Sequence, residues 1–148
     1  MSDTDGPTDP VLDDHLHLDP VNGRGVEAAE EFAEHGGTHL LVLNKPSWHY
    51  DVQVSEAGDF RVAYDHTLDV VADANDVLPG RAWPVLGVHP ALVSQLLDRG
   101  FTPEEARDLM CTGLEVAAEY VAADDAIAIK SGRPHYDVDD AVCDASNA

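Results

Sequence analysis

"THLLVLN", Thr38 to Asn44, is a nearly continuous apolar run that ends on a polar residue. Strands buried on both faces read this way, and such strands belong to parallel sheets covered by helices. Upstream, Val11 to Leu18 is compatible with a strand. Val26, Ala29 and Ala33 then recur at helical spacing, and "HGG" at His35–Gly37 supplies a C-terminal stop. Downstream, residues 45–59 read as a loop carrying Trp48, His49 and Tyr50. Tyr64, Leu68, Val71 and Leu78 mark a second helical stripe, halted by Pro79-Gly80. "WPVLGVHP", Trp83 to Pro90, reads as a third strand. Thr102, Pro103 and Glu105 form the clearest helix start in the chain, an N-cap with proline in the first turn and a capping box. That helix's stripe runs through Ala106, Met110, Gly113, Ala117 and Val121, and "AIAIK", Ala126 to Lys130, follows as a fourth strand.

The order is β-α-β-α-β-α-β with no hairpin signal between strands. It implies a parallel α/β sheet with helical crossovers, either doubly wound or a (β/α) barrel. "LDPVNGRGVE" after the first strand lacks the glycine spacing of a dinucleotide site or a P-loop, which counts against a nucleotide-binding Rossmann domain.

Composition narrows the class. The chain has 148 residues, room for one ordinary domain, and 44% are hydrophobic. Asp and Glu outnumber Lys and Arg 29 to 8, for a formal net charge of -21. Such a surface repels nucleic acid and anionic membranes in dilute salt. At molar salt the Debye length falls to roughly 3 Å, so the same surface suits a halophilic protein. Two cysteines, Cys111 and Cys143, make no disulfide framework and fit a reducing compartment. Residues 1–10 are expected to be a disordered acidic leader rather than a signal peptide, and residues 11–148 the domain. No apolar run approaches the roughly 20 residues a membrane span needs. The expectation is a soluble, cytoplasmic protein with no membrane partner.

In parallel α/β proteins, ligands gather where strands end. His15 and His17 end the first strand, Asn44 and Lys45 the second, His89 the third and Lys130 the fourth. Side chains two apart on a strand point to one side, so His15 and His17 can converge on one metal ion. Asp13 is positioned by the same alternation to orient one of them.

"DDHLHLDP" (13–20), "GVHP" (87–90) and "SGRPHY" (131–136), in that order, resemble the TatD-like metal-dependent hydrolases of the amidohydrolase and urease superfamily, in particular their archaeal TatD-related branch. The resemblance covers the chain from about Val11 onward. It implies a (β/α) barrel, one or two divalent metals, and hydrolysis of a phosphoester, amide or ester bond, deoxyribonuclease activity being the best-known association. It makes His15 and His17 metal ligands, places His89 against a small-molecule or nucleic-acid-derived substrate, and turns Arg133 and His135 toward the pocket. Zinc suits the imidazoles best, with manganese or magnesium as alternatives.

Two features depart from the family pattern. Lys130 stands where these enzymes usually carry a glutamate. An ammonium there would repel a dication, whereas a lysine carboxylated on its side-chain nitrogen would be a ligand, so Lys130 is expected to join the metal site in that form. Also, a (β/α)8 barrel needs about 250 residues. The chain supplies roughly four βα units and ends in "DDAVCDASNA", expected to begin a fourth helix, so it reads as the N-terminal half of a barrel. The base-supplying aspartate is then expected beyond residue 148. Completion is expected from a longer natural chain of which this is a fragment, with a second copy or a separate C-terminal half as the alternatives. The competing expectation is a non-catalytic half-barrel module that needs a partner. A flavodoxin-like domain would explain the alternation and leave the histidines unexplained.

Overall fold

The structure, a computed structural model, describes residues 9–133. The expected leader and the expected fourth helix therefore lie outside the described residues, apart from Asp9 and Pro10 of the leader. Four strands, β1 (Leu12–Leu16), β2 (His39–Leu43), β3 (Ala82–Gly87) and β4 (Ala128–Lys130), alternate with helices α1 (Val26–Glu34), α2 (Ala57–Val77), α3 (Leu92–Asp98) and α4 (Pro103–Ala122). All neighbouring strands are parallel. Their spatial order, β1-β2-β3-β4, is the order of the sequence. A doubly wound sheet reverses direction at a switch point and puts helices on both faces. Sequential order with right-handed crossovers puts every helix on one face, the build of a (β/α) barrel wall. The flavodoxin-like alternative is therefore set aside.

Register determines the two faces. Leu40 and Val42 of β2 and Ala82 of β3 pack with α1 and α2, while Leu86 and Val88 pack with α2, α3 and α4. The alternate positions form the inner face: His39, Leu41 and Leu43 of β2, Trp83, Val85 and Gly87 of β3, and Ala128 and Lys130 of β4, the last two in register with Val85 and Gly87. None of these is a carboxylate. His39 stacks on Trp83 with ring centroids 5.9 Å apart.

Local signals explain most boundaries. The Thr102 hydroxyl accepts the Glu105 N–H at 3.2 Å while the Glu105 carboxylate accepts the Thr102 N–H at 2.9 Å, the capping box the sequence advertises. α1 ends at His35, and Gly36 takes a φ of 93°, which only glycine adopts without strain. α4 lies close to the sheet at Gly113, where an added Cβ would meet Val88 Cγ2 at 2.5 Å and the Phe60 ring at 2.6 Å.

Elsewhere the boundaries differ from expectation. β1 spans five residues rather than Val11–Leu18, and its register shifts between Asp13 and Leu16. β3 stops at Gly87, so His89 sits on the following turn rather than in the strand. The expected loop 45–59 holds a short 3-10 turn, Ser47–Tyr50, and the first turn of α2, capped reciprocally by Glu56 and Asp59. Helix α3 was not expected at all. It is one short amphipathic segment, with Leu92, Val93 and Leu96 buried, too brief for periodicity to stand out.

Candidate functional site

The C-terminal ends of the strands carry a connected set of polar groups. His15 and His17 come together, with ring centroids 5.1 Å apart and planes at 79°. Two imidazoles on one tetrahedral ion, each with nitrogen about 2 Å from the metal, also have centroids about 5 Å apart. His17 Nδ1 lies 3.0 Å from the Leu43 carbonyl oxygen, which can only accept, so Nδ1 carries the proton and Nε2 keeps the lone pair. A metal-binding histidine has its tautomer set in this way. Burial, followed by the charge of nearby Lys130, lowers the His17 pKa and favours the neutral ring a metal requires.

His89 has the opposite tautomer. Its Nδ1 accepts the Ala91 backbone N–H at 3.1 Å, so Nε2 bears the proton in the neutral ring. That makes His89 a hydrogen-bond donor rather than a metal ligand at Nε2. Its ring meets Trp48 edge-to-face, with centroids 5.6 Å apart.

Asp13 does not orient a ring. Its Oδ1 accepts the backbone N–H of His15 at 3.0 Å, because the shift in β1 interrupts the alternation that would align it with the imidazoles. Lys130, in register with Gly87, donates from Nζ to the Asn44 backbone carbonyl at 2.6 Å. Burial pushes its ammonium down to about 8. Arg133 is exposed just past β4, and His135 lies outside the described residues. Among the described residues no group of three or more His, Cys, Asp or Glu could hold a metal ion. The imidazole pair thus fits two positions of a zinc-type shell and leaves the remaining positions to other donors.

Three further residues hold this site together, two of which the sequence marks only as polar groups after an apolar run. Asn44 is buried. Its side chain accepts the Gly87 N–H at 2.8 Å and donates to the Gly87 carbonyl at 3.0 Å, clamping β2 to β3. Lys45 forms an ion pair with Asp19, both side chains largely buried, tying the exit of β1 to that of β2. Asp19 Oδ1 also accepts the Val21 and Asn22 N–H groups at 3.1 and 2.9 Å, closing the turn after His17. The Lys45 hydrogen bond, with these amides, holds the Asp19 carboxyl down at about 2.

The last point gives a pH prediction. A carboxyl whose folded pKa lies below its unfolded value stabilises the fold above the unfolded pKa and loses that contribution as pH falls through the folded one. Asp19→Asn is therefore expected to be less stable than the unmodified protein by about 2 kcal/mol at neutral pH, with the gap closing between about pH 4 and pH 2. Denaturant unfolding of both proteins in constant high salt measures it. A gap that stays constant through acid would show that the carboxylate's charge is not what Lys45 and the turn recognise.

A sequential parallel sheet that collects imidazoles, a half-buried lysine and a largely buried ion pair at its strand ends defines a (β/α)-barrel type of protein, the class in which ligands gather at the C-terminal face. The chain belongs to the TatD related DNase family, whose family model matches residues 12–148. It is 34% identical over 141 residues to an uncharacterised protein of Methanocaldococcus jannaschii, covering 93% of this chain and 47% of that relative. The chain thus spans about half the length of the curated relative it matches. No solved structure matches it significantly. No helix among the described residues is long and apolar enough to cross a membrane.

Proposed function

We propose that this chain supplies the metal-binding half of a TatD-type hydrolase acting on a phosphoester, with DNA or a nucleic-acid-derived small molecule as substrate. The observation that carries this reading is the His15–His17 pair, spaced for one ion, with His17 fixed by Leu43 in the tautomer that exposes Nε2. Family membership supports a metal-dependent hydrolase and leaves bond, substrate and metal open. A divalent ion, zinc best matched to the imidazoles, supplies Lewis acidity and a water of lowered pKa when bound. His15 and His17 hold it. Lys130, partly desolvated and at the same mouth, is proposed as a ligand in carboxylated form, since its ammonium form would repel a metal cation. His89 donates from Nε2 to an anionic oxygen of the substrate, and Arg133 and His135 extend that contact. The general base is assigned to an aspartate of the other barrel half.

Zinc binding to the full chain in molar salt, by calorimetry, tests the core of this reading. Loss of an outer partner of a metal ligand alone weakens binding 10–100-fold, so His17→Ala is expected to weaken it by more than about 100-fold. Equal affinity in His17→Ala would refute the assignment. Lys130→Ala, compared with and without bicarbonate, tests the carboxylated ligand separately, and unchanged metal stoichiometry would reject it. Metal binding without hydrolysis of a generic phosphodiester by the completed barrel would favour the binding-module reading.

A further inference from the structure

Trp48 forms a wall common to two spaces. One is a narrow cleft that it shares with Asn44 and His89, and the other is a cavity of about 220 Å³ lined also by Gln53, Gln95 and Arg99. The cavity is built from the segments that follow β2 and β3, the two inner strands, and neither edge strand contributes to it. We propose that this cavity is a nucleobase subsite, in which one base stacks on Trp48 and meets the amides of Gln53 and Gln95 with its edge.

Size, chemistry, charge and rigidity each favour that ligand. Sites for drug-sized ligands run to roughly 300–1,000 Å³, so this smaller space suits one planar ring system. Its walls pair a half-buried indole with two side-chain amides, each able to donate and to accept. Among the described residues no hydrogen bond engages either amide. A nucleobase has the matching parts, a flat face and an edge of donors and acceptors, and each stacked base is worth about 1–3 kcal/mol. The Asp51 carboxylate lines the same cavity as the Arg99 guanidinium, so the lining has no net positive charge to favour a phosphate over a neutral ring. Arg99 is moreover engaged, donating to the Val54 carbonyl at 2.7 Å and to Ser55 Oγ at 2.9 Å. In a chain of net charge -21, attraction to phosphates is a poor source of affinity, whereas stacking is indifferent to that charge. Finally, the turn that carries Trp48 is fixed in advance. The Val52 N–H donates to the Ser47 carbonyl at 3.1 Å, the Tyr50 hydroxyl accepts the Lys45 N–H at 3.3 Å, and the Tyr50 ring stacks on His66 at 5.0 Å. His89 meets Trp48 edge-to-face, so a nucleotide with its base in the cavity presents its phosphate on the His89 side of the indole. Only this placing of the phosphate rests on the hydrolase reading.

Titration of the full chain with each of the four deoxynucleosides, in molar KCl with a chelator present and followed by saturation-transfer NMR, is the test. The expected result is saturable binding at millimolar concentration that quenches Trp48 fluorescence in Trp83→Phe, where Trp48 is the sole tryptophan. Trp48→Leu, which keeps an apolar side chain against the core, is expected to weaken binding at least about fivefold, the lower end of what one stacked base contributes. Gln95→Ala is expected to weaken it about threefold, the worth of one hydrogen bond, and serves if Trp48→Leu fails to keep its helices by circular dichroism. No saturable binding of any deoxynucleoside would overturn the proposal, as would affinity unchanged in both variants. So would deoxyribose or inorganic phosphate bound as tightly as the deoxynucleosides. Zinc titration of the same protein without chelator separates the two readings. Deoxynucleoside binding without zinc uptake keeps the subsite and removes the metal, and zinc uptake without deoxynucleoside binding does the reverse.

Discussion

Asn44→Ala is expected to lower folding stability by about 3 kcal/mol, because it leaves the Gly87 N–H and C=O buried without their partner at about 1–3 kcal/mol each. The side chain is 3% exposed, so water cannot easily take its place. The backbone carbonyl of the same residue receives Lys130 Nζ, and loosening β2 from β3 moves that acceptor as well. Chemical denaturation in constant salt reads the loss as a lower midpoint. A cost under about 1 kcal/mol would mean that Asn44 does not clamp the two strands.

Gly87→Ala attacks the same junction from the other side. A Cβ there would sit 1.9 Å from the Lys130 carbonyl oxygen and 2.8 Å from its carbonyl carbon, and backbone cannot rotate aside as a side-chain tip can. β4 has three residues in the ladder and, among the described residues, one strand neighbour, so it is expected to leave the sheet while the helix-side core survives. Hydrogen exchange is the measurement: the β4 amides should lose protection by more than about 100-fold, corresponding to at least about 3 kcal/mol, with α2 and α4 little changed. Retained protection at Ile129 and Lys130 would contradict the close approach. Lys130 would also be carried away from Asn44, so the same variant should change any metal stoichiometry that depends on Lys130.

These two positions mark where sequence reading reached its limit. Asn44 is visible in the sequence as a polar residue ending an apolar run, which suggests a place at a strand end. That its amide reaches across to Gly87 depends on register, and register is invisible in one strand read alone. Gly87 looks like part of a strand continuing to Pro90; its missing side chain matters only because Lys130 passes beside it. Asp13 failed for a related reason. A two-residue alternation puts it with His15 and His17, but the shift in β1 breaks that alternation, and its carboxylate turns to a backbone amide instead. The Asp19–Lys45 pair joins residues far apart in the chain and became recognisable only when β1 lay beside β2.

The amino-acid sequence by itself determined the alternation of strands and helices, the parallel sheet, the caps of α4, and the meeting of His15 with His17. All of these are local: they depend on spacing along one strand or helix, which hydrophobic periodicity and capping chemistry record directly. Only the tertiary structure decided that the strands lie in sequential order, that the helices share one face, and that His17 and His89 carry their protons on different nitrogens. Those outcomes depend on which strand lies beside which and on which carbonyl or amide meets each ring, and contacts across the sheet leave no periodic trace in the chain.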